Sequence, residues 1–367
     1  MKTNLKTIFS SIQDNRRDLT KYYELNDILL MAIIAVISGA DSWNDIEEYC
    51  LAKEEWLTKW LNLQNGIPSH DTFNRVISHI NHKEFERCFI EWAALLVEET
   101  KNREIINIDG KTIRGAKEYG NKSPIHVVSA WACKNNIVLG QVKTNEKSNE
   151  IKAIPELLDL LFIENSIVTI DAMGCQKDIA SKIVDQGADY VLAVKENQPT
   201  LFEQIKDEFV FGKNIENSED IDIGHGRIET RKCSIITDFQ FIETQENWKN
   251  LTTIVKIESN REFKNSSKPE EKSERFYIAS LKATPSEFCS IIRSHWSIEN
   301  KLHWCLDVSF GEDNDRKRTV NASQNFSTLN KIALNILKNE KTLKVGIKGR
   351  RLKAGWDNNY LRKLMNF

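Results

Sequence analysis

Three carboxylates stand in sequence contexts that suit chemistry. Asp109 closes the run EIINIDG and Asp171 closes SIVTIDA, each after β-branched apolar residues and close before a glycine. An acid at a strand end with small neighbours has room beside it for a ligand, although Asp is also a ready turn-former there. Two such acids on strands that can be adjacent, with a third on a helix beside the core, form an all-oxygen set of hard donors. That set suits Mg²⁺ or Mn²⁺ rather than zinc. Two such ions about 4 Å apart can activate a water or a 3′-hydroxyl and stabilise the leaving oxygen of a phosphodiester.

The third acid is Glu299, in RSHWSIENKLHWCLDVSFGEDNDRKR, which runs from Arg293 to Arg318. In a helix each step of four residues turns by about 40°, so His295, Glu299, His303 and Asp307 form one drifting polar stripe. Ile291, Ile298, Leu302 and Leu306 fall on the adjoining face, so the stripe borders a buried one. A carboxylate there is half desolvated; it can bind a metal, hold a proton or cap the core. The spacing His295, Glu299, His303 also allows zinc on one helix face, but no third His or Cys ligand is evident. Taken singly, the two histidines fit core hydrogen bonds, and Trp296 and Trp304 fit core or interface packing ahead of base stacking. Asp307, Glu312 and Asp313 can cap the helix end or serve as a spare acid. Lys111 and Arg114 follow Asp109 closely, where a phosphate contact and a surface salt bridge are equally open. Cys175 reads as a small packing residue.

The elements that must position these residues change period along the chain. Residues 1–100 read as helical. A buried helix through ILLMAIIAVI breaks at Ser38-Gly39, a polar helix begins near Asp41 or Ser42, and Ser69 is a natural N-cap for SHDTFNRVISHI. EIINIDG, IHVVSAWAC and IVLGQVK then read as strands, followed by the helix NEIKAIPELLDLLF, the strand SIVTIDA, a helix closed by Gly187 and the strand DYVLAVK. That order is a mixed-sheet α/β pattern, in which sites gather at the carboxyl ends of strands. From about 200 to 285, ETRKCSIITDF, LTTIVKIES and RFYIASL read as a β-rich insertion. A helix carrying Glu299, a helix near 321–338 and a basic tail complete the chain.

Bulk properties bound the partners. At 367 residues with 40% hydrophobic and 28% charged residues, the chain reads as a soluble protein of two or three domains. The net charge of −2 hides asymmetry: residues 338–367 carry nine Lys and Arg against Glu340 and Asp357, whereas 196–224 are strongly acidic. The basic tail fits phosphate backbones or plain solvation equally. Seven scattered cysteines without a C-x-x-C pair fit free thiols in a reducing cytoplasm. The longest apolar run is too short for a bilayer, which needs about 20 residues, so no membrane partner is expected.

IDGKTIRG, TIDAMGCQKDIA, DYVLAVKENQ and the block around Glu299 resemble the signature blocks of DDE transposases. The likeness is strongest to the insertion-sequence group that includes the H-repeat-associated proteins, and GADSWNDIEEYC … NGIPSHDTFNRV resembles that group's associated helical domain. The likeness spans nearly the whole chain in the family's order. It implies an α/β fold with an RNase H-like mixed-sheet catalytic core (101–199 and 286–338), an inserted β-rich domain (200–285), an N-terminal helical domain (1–100) for DNA-end binding, and a C-terminal tail (339–367). It implies Asp109, Asp171 and Glu299 as catalytic residues and ligands of two Mg²⁺ or Mn²⁺ ions. It further implies double-stranded DNA, terminal inverted repeats and target DNA as partners, and a homodimer on DNA. Related transposases carry Arg, Tyr and Lys where this chain has His295, Ile292 and Leu306. Phosphate contacts then fall to Lys111, Arg114, His295, Lys301, His303 or the run Arg316, Lys317, Arg318. A metal-dependent endonuclease without strand transfer, and an idle DNA-binding relative, are the alternatives.

Overall fold

The computed structural model describes residues 5–17, 21–98, 103–117, 124–144, 150–224, 226–264 and 268–366. The chain forms two compact units: Met1–Glu99 with Gly110–Asn149 and Glu299–Phe367, and Thr100–Asp109 with Glu150–Ile298.

The first unit begins with six helices, α1 (Leu5–Phe9), α2 (Leu25–Ile37), α3 (Trp43–Ala52), α4 (Glu54–Leu57), α5 (His70–His79) and α6 (His82–Ala94). Helix α2 is buried all round, as its unbroken apolar run requires. It stops where Gly39 takes a φ of 115°, and α3 starts from a capping box between Ser42 and Asp45. Ser69 caps α5 as its sequence implies. Strand β1 (Ile105–Lys117) contributes its later residues to this unit, where the strand order is β1, β2 (Pro124–Ala132), β3 (Ile137–Thr144).

The second unit holds the earlier part of β1, followed in chain order by α7 (Glu150–Leu160), β4 (Ile167–Ile170), α8 (Lys177–Asp185), β5 (Asp189–Val194), α9 (Pro199–Phe211), β6 (Glu216–Gly224), β7 (Arg227–Ile236), β8 (Thr253–Phe263), β9 (Glu271–Ala279) and α10 (Pro285–His295). Strands β1, β4 and β5 are parallel neighbours, and β9 joins β5 antiparallel before the meander to β8, β7 and β6. The mixed sheet meets the RNase H-like expectation. The β-rich insertion is present, and its strands continue the sheet outward from β5. Helix α9 and the acidic edge strand β6 are additions that strand propensity missed. Helix α10 covers the sheet, packing Phe288, Ile291 and Ile292 against Ile167, Val191, Val255 and Tyr277. Each such buried side chain contributes roughly 1.5–3 kcal/mol.

The chain re-enters the first unit at Glu299. Helical conformation lapses at Trp296, resumes briefly, widens to a π-helical turn at Glu299–His303, and returns to α in α11 (Trp304–Phe310). A one-turn 3₁₀ segment (Glu312–Asn314) leads to α12 (Ala322–Asn339), almost wholly buried despite its Ser, Thr and Asn content. The region expected as a basic tail instead folds into α13 (Ile347–Trp356) and α14 (Asn358–Met365). Two of its cations serve the fold. Arg351 donates to the Val36 carbonyl in the last turn of α2 and to the Ala40 carbonyl beyond it, and pairs with Asp41 at 2.7 Å, while Arg350 donates to the Leu337 and Leu343 carbonyls. Terminal helix carbonyls need such donors.

Candidate active site

Asp171 follows the last residue of β4, whereas Asp109 does not close its strand as expected: it lies within β1, just past the residues that pair with β4. On the parallel pair β1 and β4, Asn107 is level with Thr169 and Ile108 with Ile170, so the two acids come next on each strand. Neighbouring strands lie about 4.8 Å apart, and residues two apart share a face. Both acids therefore rise on the face that carries Asn107 and Thr169. Asp109 is half-buried and Asp171 exposed, whereas Asn107 and Thr169 beneath them are buried.

The layer beneath is tied to α10. The Asn107 amide donates to the Ser294 carbonyl at 2.6 Å and the His295 carbonyl at 3.2 Å, which fixes its oxygen toward Thr169. The Thr169 hydroxyl donates to that oxygen at 2.7 Å. Its only proton is then spent, so the contact of 2.8 Å to His295 Nδ1 requires the imidazole to donate. His295 is thereby set as the Nδ1–H tautomer, with the Nε2 lone pair on the far side of the ring. Burial pushes its pKa down to about 4, against the pull of nearby Asp171, so the ring is neutral at pH 7.

Asp171 is also a turn-former. Its Oδ1 accepts from the Met173 and Gly174 amides at 3.0 and 3.4 Å, while Oδ2 has no hydrogen-bond partner among the described residues. The turn is braced from β5's end: Asn197 donates to the Ala172 carbonyl at 2.6 Å and Gln198 to the Cys175 carbonyl at 2.9 Å. A Cβ on Gly174 would lie 2.2 Å from Ile170 Cγ2, so the glycine is required for close packing. Thus KENQ positions the Asp171 turn, a role that composition alone did not reveal. Cys175 is buried packing, as read, and burial pushes its thiol up to about 12.

Glu299 lies in the other unit, exposed, as the first residue of the π turn. The extra residue per π turn breaks the regular stripe expected for His295, Glu299, His303 and Asp307. His303 turns inward, where burial and the cations of Lys111 and Lys331 push its pKa down to about 3. Among the described residues, no group of three or more His, Cys, Asp or Glu is close enough to hold a metal ion. The zinc spacing is therefore not realised. Within the second unit the pairing of β1 with β4 brings Asp109 and Asp171 level, and their donors are carboxylate oxygens, which fit a hard divalent cation.

The basic residues divide sharply. Lys111 is not a surface residue: it pairs with Asp307, with Glu312 at 3.2 Å and with Asp313 at 3.9 Å. Glu312 also accepts from Ser327 at 2.8 Å and faces Lys331 at 3.6 Å, both of these charges being fully buried. Burial raises the Glu312 pKa, but Lys331 and Lys111 outweigh it and hold the carboxyl below its usual range. Lys111 therefore cannot reach a phosphate in this arrangement. Lys317 is likewise committed, to Asp315 at 3.1 Å, the Asp41 carbonyl at 2.9 Å and the Phe326 ring at 3.4 Å. His295 and His303 are neutral and turned inward, so they supply no cation either. Arg114 is exposed and faces Asp313 at 3.6 Å, the surface salt bridge that was one of its two expected roles; Arg316 and Arg318 are exposed, and exposed Lys301 donates to Asn136 at 3.1 Å. Trp296 and Trp304 are exposed rather than core, with the Arg275 guanidinium 4.7 Å from the Trp296 ring.

Among the described residues no helix is long and apolar enough to cross a membrane, and none of the seven cysteines is in a disulfide. A family model described as "Transposase DDE domain" matches residues 100–336, and a "DDE_Tnp_1-associated" model matches residues 6–93. "Putative transposase YncI" of Escherichia coli O157:H7 is 44% identical over 99% of this chain and 94% of that protein. "H repeat-associated putative transposase YhhI" of Escherichia coli K12 is 42% identical over 97% of this chain and 96% of that protein. The cryo-EM structure of a piggyBac transposase synaptic complex with hairpin DNA aligns at a TM-score of 0.41 and 10% identity, covering 99% of this chain and 77% of that one. A likeness that loose carries no argument.

Proposed function

The chain belongs to the family defined by the transposase DDE domain, and on that premise we propose that it cuts DNA at the ends of an insertion sequence and joins the freed 3′-hydroxyls to target DNA. The observation that supports this most is the register of Asp109 and Asp171 on neighbouring parallel strands, above a buried layer that holds both strands to α10. In this reading Asp109, Asp171 and Glu299 hold two Mg²⁺ or Mn²⁺ ions. Such ions supply Lewis acidity to the attacking and leaving oxygens of an in-line phosphodiester displacement.

The protein's own share is positioning. Asp171 spends one oxygen on its turn and offers the other outward. Asn197 and Gln198 stop that turn from moving. His295 adds hydrogen bonds but no charge beneath the acids, so it does not compete with a cation above them. The N-terminal helices read the terminal inverted repeats, exposed Arg114, Lys301, Arg316 and Arg318 meet the backbone, and two copies pair two DNA ends in the cytoplasm.

Asp171→Asn tests the assignment, because the amide keeps the turn acceptor but loses the charge. Cleavage of DNA carrying the element's ends should fall about a hundred- to a thousandfold, with DNA binding retained. Undiminished cutting would remove Asp171 from the site. Wild-type protein that cuts but never yields joined products is an endonuclease, and one that binds without cutting is an idle relative.

A further inference from the structure

A third parallel strand of the second unit reaches the level where Asp109 and Asp171 stand. Strand β5 lies on the other side of β4 from β1, with Thr169 level with Val191 and Ile170 with Leu192. Asp171 is therefore level with Ala193. Residues two apart share a face, so the alternation continued past Ala193 puts Lys195 on the face that carries Asp171 and, one strand further, Asp109. The same face carries Ile167 and Val191, on which α10 packs. Like Asp171 after β4, Lys195 is the first residue after its strand.

The backbone of Lys195 is anchored. The Gln198 amide donates to the Lys195 carbonyl at 3.0 Å, closing a turn whose Asn197 and Gln198 side chains hold the Ala172 and Cys175 carbonyls of the Asp171 turn. Its side chain is the opposite: exposed, with no ion-pair or hydrogen-bond partner among the described residues, neighbouring Glu196 included. Lys111, Lys317 and Lys331 differ, because their ammoniums are spent on carboxylates. His295 differs too, because burial keeps it neutral. Lys195 is thus a cation that is both placed and unspent.

Its four-carbon stem is long enough to carry the ammonium across one strand spacing, about 4.8 Å, toward Asp171. Without divalent ions, two carboxylates repel a phosphodiester that comes near them. A free ammonium one strand away offsets that repulsion for a phosphate lying over β4 and β5.

We propose that Lys195 binds a backbone phosphate of the DNA strand that is cut, at the bond attacked or at its immediate neighbour, and so sets that strand over Asp109 and Asp171. This rests on the transposase reading, which supplies the DNA and the task of the acids.

The test uses the full chain and a labelled duplex carrying one element end, without divalent ions, followed by anisotropy across a range of salt. Lys195→Ala should weaken binding about threefold and make the log–log salt dependence shallower by about 0.9, the share of one phosphate contact on a duplex. Lys195→Arg keeps the charge and should keep the wild-type slope. A neutral methylphosphonate is then placed in turn at the cut and at the phosphate on either side. At one of these positions it should cost the wild type about threefold and cost Lys195→Ala nothing further. An alanine variant with the wild-type slope would overturn the proposal, as would an arginine variant as shallow as alanine. So would penalties that simply add at all three positions. Lys195 is exposed, so neither variant has to survive a change in the core. Protein that binds the end but never cuts it would sink the transposase reading and leave the contact measurable. Protein that cuts while Lys195→Ala binds like the wild type would sink the contact alone.

Discussion

Two networks flank Asp109 along β1, and they are built from opposite materials. Two residues before it, Asn107 joins Thr169 and His295 in a buried layer with no net charge. Two residues after it, Lys111 enters a buried ionic cluster with Asp307, Glu312 and Asp313, extended by Lys331 and Ser327. A neutral layer fixes geometry without shifting the charge of the acids above it. An ionic cluster fixes geometry more strongly, but only while every member is present, because each unpaired charge left behind is expensive. The first network ties the acid-bearing strands to α10, and the second ties the later part of β1 to the segment around Glu312.

The largest effect is expected in the ionic cluster. Lys331→Met leaves Glu312 buried without one of its two partner charges, and breaking a buried pair in this way costs about 3–5 kcal/mol. Adding Glu312→Leu should recover most of that loss, since a buried pair replaced by apolar groups is often neutral. Urea melts of the single and double variants measure both. A double variant no more stable than the single would show that Lys111, rather than Lys331, sets the Glu312 charge.

The neutral layer should respond more weakly and in a different readout. Thr169→Val removes one hydroxyl that bridges Asn107 and His295, and should lower stability by about 1–3 kcal/mol because both partners lose a bond in a dry place. Cleavage should fall further than stability alone explains, since Asp171 follows two residues later on the same face. Equal stability loss with full cutting would make the layer structural only.

These networks mark the limit of what the sequence makes legible. Asp109 and Asp171 could be found because each closes a β-branched run, a local signal, and Ser69 could be found because a cap is read within one turn. The partners of Lys111 lie some two hundred residues away in the chain, and nothing local distinguishes it from a surface lysine. The π turn at Glu299 was equally hidden: the i, i+4 spacing of His295, Glu299 and His303 describes a regular helix, and the chain departs from it at Glu299–His303. Residues 339–367 looked like a tail because their cations outnumber their acids, yet Arg350 and Arg351 are spent on helix-end carbonyls. Charge counts do not show which charges are already used.

The smallest expected effect is a slope in pH, and it separates the two networks. His295 has its pKa pushed down to about 4 by burial, whereas an unfolded histidine titrates near 6.5. As pH falls through 6.5 the unfolded chain takes up a proton that the folded chain refuses, so stability declines until the folded group titrates near 4. Above pH 6.5 both states are neutral and the contribution is constant. His295→Asn keeps a donor and an acceptor without the titration, so its stability should decline less than the wild type's between pH 6.5 and 4, in urea midpoints taken across that range. His303 titrates still lower, near 3, and belongs to the ionic cluster. Its replacement by Asn should flatten the same upper part of the curve but extend the change further into acid. If His295→Asn left the slope untouched, the imidazole would be exchanging with solvent. The tautomer deduced from Thr169 and Asn107 would then lose its basis.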